Sequence, residues 1–553
     1  MDSPKKTTIW LPLWIGLSIA IGIFIGNAFS IFSSRKSLFN RGDKLEAVLE
    51  YISESYVDTV NIQELVENTI PALIAGLDPH SNYYTAKEME ITGEELTGHF
   101  SGIGVSFYVL NDTITIMSTM PGGPSEAAGL KPGDRIVYAN DSLLAGVKIT
   151  NEKVTEKLRG KKGTTVKLGI KRYNKPGIEY VSVERDDVPV NSIDAVFTPN
   201  SDIGYIKISK FASTTYNEFI SAISQLKSQS AKSVIIDLRQ NTGGYLVPSE
   251  DMINEFLEKG DLIVYTEGRA FARRSQYANG SGTCKDMQLV VLIDENSASA
   301  SEVFAGAIQD NDRGLIVGRR SFGKGLVQTQ YPFRDGSALR LTIARYYTPS
   351  GRCIQKPYQI GHREDYDMDY YNRYMSGEMY SADSIKFDES SVFYTAAGRL
   401  IHGNGGIMPD VFVPRDTVGM TNYYTKLFNS GAIYEYSMVY SDVNRKKLSS
   451  FTTWKDMYAY LLKQALLPNL LTFAETKSVK REQYLPTETQ KLIQKQLSAY
   501  IVRNYFGDAG FYPILLSDDI VLKEAIKQIK ANKATPKVIK ESGKKKTGGQ
   551  RGN

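Results

Sequence analysis

A multidomain α/β protein is predicted by three features of this 553-residue chain. Strands alternate with helical periodicity beyond Val188, a strand-rich stretch runs from Gly98 to about Arg185, and helical patterns dominate from about Thr417 to Lys533. The length exceeds one ordinary domain and suggests three or four. Hydrophobic residues make up 42 %, enough for a real core. The net charge is only +5, and much of the excess sits in Lys544, Lys545, Lys546 and Arg551. There is therefore no nucleic-acid footprint. Two cysteines, Cys284 and Cys353, are too few for a disulfide framework; whether they pair, stay free or face the core is open. Four histidines, His80, His99, His362 and His402, form no HExxH pattern or Cys/His cluster, so no metal is expected, and Gly243-Gly244 fits neither a G-x-G-x-x-G dinucleotide fingerprint nor a P-loop, so no cofactor is expected.

The elements follow in order. Ile9 to Phe29 carries no charge and follows Lys5 and Lys6, which suits a membrane-crossing helix better than the shorter apolar core of a cleaved signal. Cleavage after Gly26-Asn27-Ala28 stays open. Arg35, Lys36 and Arg41 beyond the run leave orientation unsettled. From about Asp43 to Glu90, Leu45, Val48, Leu49 and Ile52 recur at helical spacing, as do Leu65, Ile70, Leu73 and Ile74, until Leu77-Asp78-Pro79-His80-Ser81 breaks the pattern with a turn. Val105 to Val109 and Ile114 to Ile116 alternate around Asn111-Asp112 as a hairpin. A turn at 127–134 leads into the strand Arg135 to Tyr138, Thr150 to Leu158 reads as a helix, and Val166 to Ile170 as a strand. Next come a strand at Gly204 to Ile208, a helix at Tyr216 to Leu226, buried strands at Ser233 to Leu238 and Leu289 to Ile293, and a helix at Ser301 to Ile308. Residues 356–391 are polar and tyrosine-rich, like an inserted excursion. Beyond them, Trp454 to Leu467, stopped by Pro468, and Gln490 to Val502 read as helices. The last dozen residues are basic and Gly-rich and are expected to be disordered.

Three segments carry chemistry. Asn296-Ser297-Ala298-Ser299-Ala300-Ser301-Glu302 joins a buried strand to a helix, so its serines sit where unpaired N–H groups and the helix dipole stabilise negative charge. Taken alone, the run is better explained by N-capping through Ser297 or Ser299. Ser321-Phe322-Gly323-Lys324-Gly325-Leu326-Val327-Gln328 sets a lysine between glycines. Desolvation would lower that amine's pKa and make it a base for a serine hydroxyl, whereas a lone lysine is usually a solvated turn residue. Gln328 could orient the amine, but four residues along a straight strand span about 13 Å, so contact needs a bend, which Gly325 could supply. Asp237-Leu238-Arg239-Gln240-Asn241-Thr242-Gly243-Gly244 follows a buried strand, and paired glycines bring backbone N–H groups close to a ligand or simply make a strand-to-helix turn.

In this order the three segments closely resemble the C-terminal processing peptidases, or tail-specific proteases. The resemblance extends to Leu77-Asp78-Pro79-His80-Ser81, to Tyr347-Thr348-Pro349-Ser350-Gly351-Arg352 and to Gly406-Ile407-x-Pro409-Asp410, and covers about residues 45–414. It implies a ClpP/crotonase-like α/β peptidase core with an inserted, mostly β PDZ domain and a C-terminal helical region. It implies Ser299 as nucleophile, Lys324 as general base and Gln328 as its support. The oxyanion hole would come from N–H groups of Ala300 and of Gly243 or Gly244. His80 would have a packing role. Residues 98–186 resemble a PDZ domain whose carboxylate loop is Gly102-Ile103-Gly104-Val105; a small β domain that only supports the core is the plainer reading.

The expected organisation is a membrane anchor or signal segment at 1–36, a helical region at 37–97, the PDZ domain at 98–186, and the peptidase core at 187–414 with the insertion 356–391. A C-terminal helical domain at 415–537 and a basic tail at 538–553 complete it. The expected function is a serine endopeptidase of the bacterial cell envelope, anchored in the inner membrane with its catalytic part on the periplasmic side, that captures protein tails through the PDZ domain. The insertion and the C-terminal domain could serve oligomerisation, an adaptor or substrate shielding. The rival class is a membrane-tethered PDZ scaffold that binds C-termini without cutting them.

Overall fold

A computed structural model describes residues 43–535, apart from 111, 121, 173–174, 387–389 and 404, together with Gly16 and Gly22. The run Ile9 to Phe29 otherwise lies outside the described residues; among the described residues no helix is long and apolar enough to cross a membrane. The chain divides into two compact units, one ending at Gly76 and one beginning at Leu77. The first contains the helices Asp43–Ser55 and Ile62–Ala75, the latter capped by the Asn61 side chain.

In the second unit, the peptidase is built on a six-stranded sheet. Its order is Ile193–Asn200, Ile203–Ile208, Ser233–Asp237, Gln288–Ile293, Leu315–Gly318 and Val411–Phe412. The first pair is antiparallel and the rest are parallel. Parallel strands are covered on both faces, and alternate residues serve the two. Ile206, Ile236, Val291 and Ile316 face a cluster shared with the helices Thr215–Ser228, Leu246–Asn254 and Ala300–Asp310. Tyr205, Ile235, Val290, Leu292 and Val317 face the other way, onto Val521, Leu522, Ala525 and Ile529 of the helix Ile520–Lys530. The far C-terminal helix is thus part of the peptidase's own core.

A second sheet pairs Ala338–Tyr347 with Leu326–Pro332, Leu262–Glu267 and the short strand Asn82–Tyr84. Sequence periodicity did not call for that last strand or for the helix Leu246–Asn254. Three residues are too few for a period to register, and the helix starts directly after the glycine pair.

The segment that resembles a PDZ domain forms an antiparallel sheet of Val105–Leu110, Thr113–Thr119, Arg135–Ala139, Thr165–Lys171 and Glu179–Glu184, with Val105–Leu110 at its edge. The helix Asn151–Leu158, capped by Thr150, lends Val154 and Leu158 to the core of Ile114, Ile116, Ile136 and Leu168. Helices Asn422–Asn429, Ala432–Val443, Trp454–Leu461, Leu466–Glu475 and Thr487–Leu515 share a separate core around Leu427, Ile433, Leu461, Leu470, Leu497 and Ile501. Pro468 does not stop a helix as expected. The break falls before Leu466, and Pro468 sits in the first turn of the next helix, where its missing N–H would be unpaired anyway. Gly507, at φ 58° and ψ −155°, interrupts the long helix beyond the span the sequence marked. This helical region touches the PDZ sheet through an Arg135–Asp442 ion pair at 2.7 Å and an edge-on Tyr108–Tyr434 pair.

Candidate active site

Ser299 is the N-cap of the helix Ala300–Asp310 and has φ 56° and ψ −115°, a sparsely populated conformation for a residue with a Cβ. The turn is fixed from below. Ser297 Oγ donates to Leu238 O at 2.9 Å, and Ser301 Oγ donates to Asn241 O at 2.9 Å. These outer serines hold the loop, while Ser299 between them stays half-buried.

Glu302, one helical turn on, is fully buried. Its Oε2 accepts the Ser299 N–H at 2.9 Å and the Lys324 N–H at 2.7 Å. Its Oε1 accepts the Gly323 N–H at 2.7 Å and the Ser321 hydroxyl. One oxygen atom therefore joins the backbone of the two residues the sequence singled out, and their nitrogens are no farther apart than those two bonds laid end to end. Burial pushes the Glu302 carboxyl above the ordinary carboxylate range, and the four donors oppose that push. Sequence reasoning assigned Glu302 no role. The signal was present as Ser299-x-x-Glu302, the spacing of a capping box.

Lys324 is half-buried. Burial lowers its pKa below the ordinary lysine value, the charge of Arg340 adds to this, and Glu302 and Asp78 oppose it. Among the described residues Gln328 makes no hydrogen bond to Lys324; its Nε2 donates to the His80 carbonyl. The strand register does shift between Val327 and Gln328. The turn Leu77–Ser81 is held by Asp78, which accepts from Ser81 N–H at 3.0 Å and from Thr342 Oγ1 at 2.9 Å. His80 packs edge-on against Phe322 and Tyr366, and burial followed by the Lys324 charge lowers its pKa to about 3.

The glycine pair lies against the serine. A Cβ on Gly243 would fall 2.8 Å from Ser299 Cβ, and φ there is +105°. The Gly243 N–H is engaged by Asn241 Oδ1 at 2.8 Å. Gly244 bridges Phe211, and neither its N–H nor that of Ala300 has a partner among the described residues. The other motifs that carried the resemblance are braces. Arg352, fully buried, donates to Asp310 and Gln309 at 2.8 Å, and Asp410 accepts from the Ile316 N–H and from Arg399.

In the strand-rich domain, Gly102 ends the strand His99–Gly102, Ile103 is buried, Gly104 has φ +69°, and Val105 opens the edge strand. The N–H groups of Ile103 and Gly104 have no partner among the described residues. Beside them a groove of about 100 Å³ is bounded by Ile103, Gly104, Phe107, Leu158 and Arg159. An open strand edge beside a helix is suited to pairing with an extended peptide. Cys284 and Cys353 are both free thiols.

Fold and site together define a C-terminal processing peptidase, a serine-type peptidase with a PDZ domain that takes protein or peptide partners. The chain belongs to peptidase family S41, whose model matches residues 202–368; a PDZ domain model matches 101–190, and a family of unknown function matches 423–507. It is 32 % identical over 368 residues to a probable CtpA-like serine protease of Staphylococcus epidermidis (strain ATCC 12228 / FDA PCI 1200), covering 64 % of this chain and 74 % of that one. A probable CtpA-like serine protease of Staphylococcus aureus (strain MRSA252) is 33 % identical over 366 residues, covering 64 % and 72 %. Among solved structures, the photosystem II D1 C-terminal processing protease aligns at 24 % identity over 67 % of this chain and 91 % of its own, with a TM-score of 0.32.

Proposed function

We propose that this chain is a serine endopeptidase of the bacterial cell envelope that works through a Ser299–Lys324 dyad. The observation that carries the dyad is the shared acceptor: Ser299 N–H and Lys324 N–H both end on Glu302 Oε2. A neutral Lys324 amine takes the Ser299 proton as Oγ attacks the scissile carbonyl. The oxyanion forms against the N–H groups of Ala300 and Gly244, with Gly243 supplying the close approach. The Lys324 ammonium then gives its proton to the leaving amine, and water, deprotonated by the same amine, releases the acyl group. Gln328 Oε1, which has no partner among the described residues, accepts from the ammonium.

In this reading the loop Gly102-Ile103-Gly104-Val105 receives the carboxylate of a substrate tail, and the tail adds to the edge strand Val105–Leu110. The charge-free run Ile9 to Phe29 supports an anchor in the inner membrane; placing the catalytic part outside the cytoplasm goes with the likeness to bacterial CtpA-like proteases, not with the charges that flank the run. The domain division 1–36, 37–97, 98–186, 187–414, 415–537 and 538–553 is proposed with it, except that the strand Asn82–Tyr84 and the helix Ile520–Lys530 pack with the peptidase core; the helical region matched at 423–507 is the surface left for a further copy or an adaptor.

The test is cleavage of an unfolded protein with an apolar C-terminal tail. Ser299→Ala and Lys324→Ala should each abolish turnover without moving the melting temperature by more than a few degrees. A sulfonyl fluoride probe should label Ser299, mapped by mass spectrometry. Wild-type turnover in either variant overturns the dyad. Equal cleavage of free and C-terminally amidated tails overturns the tail-reading role.

A further inference from the structure

We propose that Tyr366, in the tyrosine-rich segment 356–391, is a positioning residue for the base: it anchors the His80 ring, and the two rings with Phe322 wall the Lys324 amine off from water. This rests on the dyad reading above and assigns the segment a task within the site.

Tyr366 is only 4 % exposed, although it lies in a short helix, Arg363–Asp367, of an otherwise polar stretch. Its Oη is 2.7 Å from His80 Nε2, and the rings meet edge-on with centroids 5.2 Å apart. Phe322, two residues before Lys324, packs edge-on against both, at 6.1 Å from Tyr366 and 6.4 Å from His80. The three rings come from three distant parts of the chain and make one apolar wall. The His80 carbonyl on the same turn receives Gln328 Nε2, so a displaced His80 also releases Gln328.

The root of the segment clamps the lysine from both sides. The Gly323 carbonyl accepts the Lys356 N–H at 2.9 Å, and the Gly325 N–H donates to Gln355 Oε1 at 2.9 Å. The Lys356 ammonium lies 3.9 Å from the Tyr366 ring centroid and 4.3 Å from that of Phe322, where the ring faces attract it. Both neighbours of Lys324 are therefore tied to the chain that carries Tyr366. A fixed wall excludes water, and excluded water disfavours the ammonium form of the base. The charged and titratable groups around the amine are Glu302, Asp78 and Arg340, with His80 and, across the rings, Lys356. Of these, Tyr366 holds His80 through its hydroxyl and Lys356 through its ring face and carbonyl; Tyr366→Phe keeps the Lys356 contacts and therefore isolates the His80 anchor.

Competitive acetylation of Lys324 against pH, read by mass spectrometry in the full-length Ser299→Ala protein, reports the amine's titration without needing activity. Lys324 should titrate well below an ordinary lysine. Adding Tyr366→Ala should move the titration up by about one pH unit, and Tyr366→Phe, which keeps the ring, should move it less. In the active enzyme the acidic limb of kcat/KM should move by the same amount, about tenfold in rate at fixed pH on that limb. An ordinary lysine titration in the parent overturns the dyad reading itself. A low parent titration that neither Tyr366 variant moves overturns this inference alone, and a rate loss with an unmoved limb does the same. Should Tyr366→Ala not fold, the Tyr366→Phe shift decides by its presence or absence.

Discussion

Glu302 accepts hydrogen bonds from Ser299, Ser321, Gly323 and Lys324 with no access to solvent. All four partners are donors. An amide in its place would turn an NH2 group toward two of them, and Glu302→Gln is therefore nearly as damaging as Glu302→Ala. Each should cost about 3 kcal/mol or more by leaving buried donors unpaired, and each should abolish cleavage, as calorimetry and turnover would show. Unchanged turnover in Glu302→Gln would refute that role. His80 gives a pH dependence of definite sign. Its folded pKa is lowered to about 3 from 6.5, so between those values the unfolded chain binds a proton that the folded chain does not. Stability is then present above pH 6.5 and is lost as pH falls toward 3, by up to about 1.4 kcal/mol per unit. His80→Asn should flatten the loss of melting temperature between pH 7.5 and 5; an identical slope would contradict it. At this scale the sequence was informative where a residue type is chemically unusual in its setting, as with a lysine between glycines. It was silent on Glu302, Tyr366 and Asp78, whose partners lie on other segments: a spacing such as Ser-x-x-Glu shows one local bond and hides the three that cross the fold.

The elements that bring these side chains together were legible wherever a period could build up. The strands Ser233–Asp237 and Gln288–Ile293, the helix Ala300–Asp310 and the capped helix Asn151–Leu158 all fall within a residue or two of their sequence signals. Elements that tertiary pairing alone creates were not legible. Asn82–Tyr84 is a strand because Ala338–Tyr347 offers it an edge, and nothing local distinguishes it from a turn. Gly325 is where a bend toward Lys324 could arise, yet the register shift lies between Val327 and Gln328, and the amide reaches His80. The glycine turn after Ser233–Asp237 is the element whose sequence matters most. Gly243 combines a φ of +105° with a Cβ position 2.8 Å from Ser299 Cβ and 2.9 Å from Ala298 O. Gly243→Ala should thus press the strained serine out of line, with at least a hundredfold loss of kcat/KM while the six-stranded sheet still forms. Near-normal kcat/KM in that variant would show that the two loops do not need to touch.

At the scale of the molecule, the linear order of domains hides which part completes which. The helix Ile520–Lys530 follows a group of helices with a core of their own, and sequence periodicity groups it with them. In the fold it instead closes the open face of the peptidase sheet, with Val521, Leu522, Ala525 and Ile529 on Tyr205, Ile235, Val290 and Leu292. Asp519, its N-cap, also accepts from Arg239 at 2.9 Å, the arginine of the segment that leads into the glycine pair. Arg239 is held at the same time by Asp237, which Tyr205 and Lys207 contact. A parallel sheet with one bare face is not viable in water, so a chain ending near residue 516 should be insoluble or melt far lower than the intact protein, even though every residue proposed for the dyad is present. Milder changes separate the two contributions. Leu522→Ala should cost about 2–4 kcal/mol through lost packing and leave kcat/KM near normal in the folded fraction. Asp519→Ala leaves Arg239 half-paired next to the glycine turn, so it should lower both stability and kcat/KM. A chain cut at residue 516 that keeps the parent's melting temperature and turnover would return this helix to the separate helical domain.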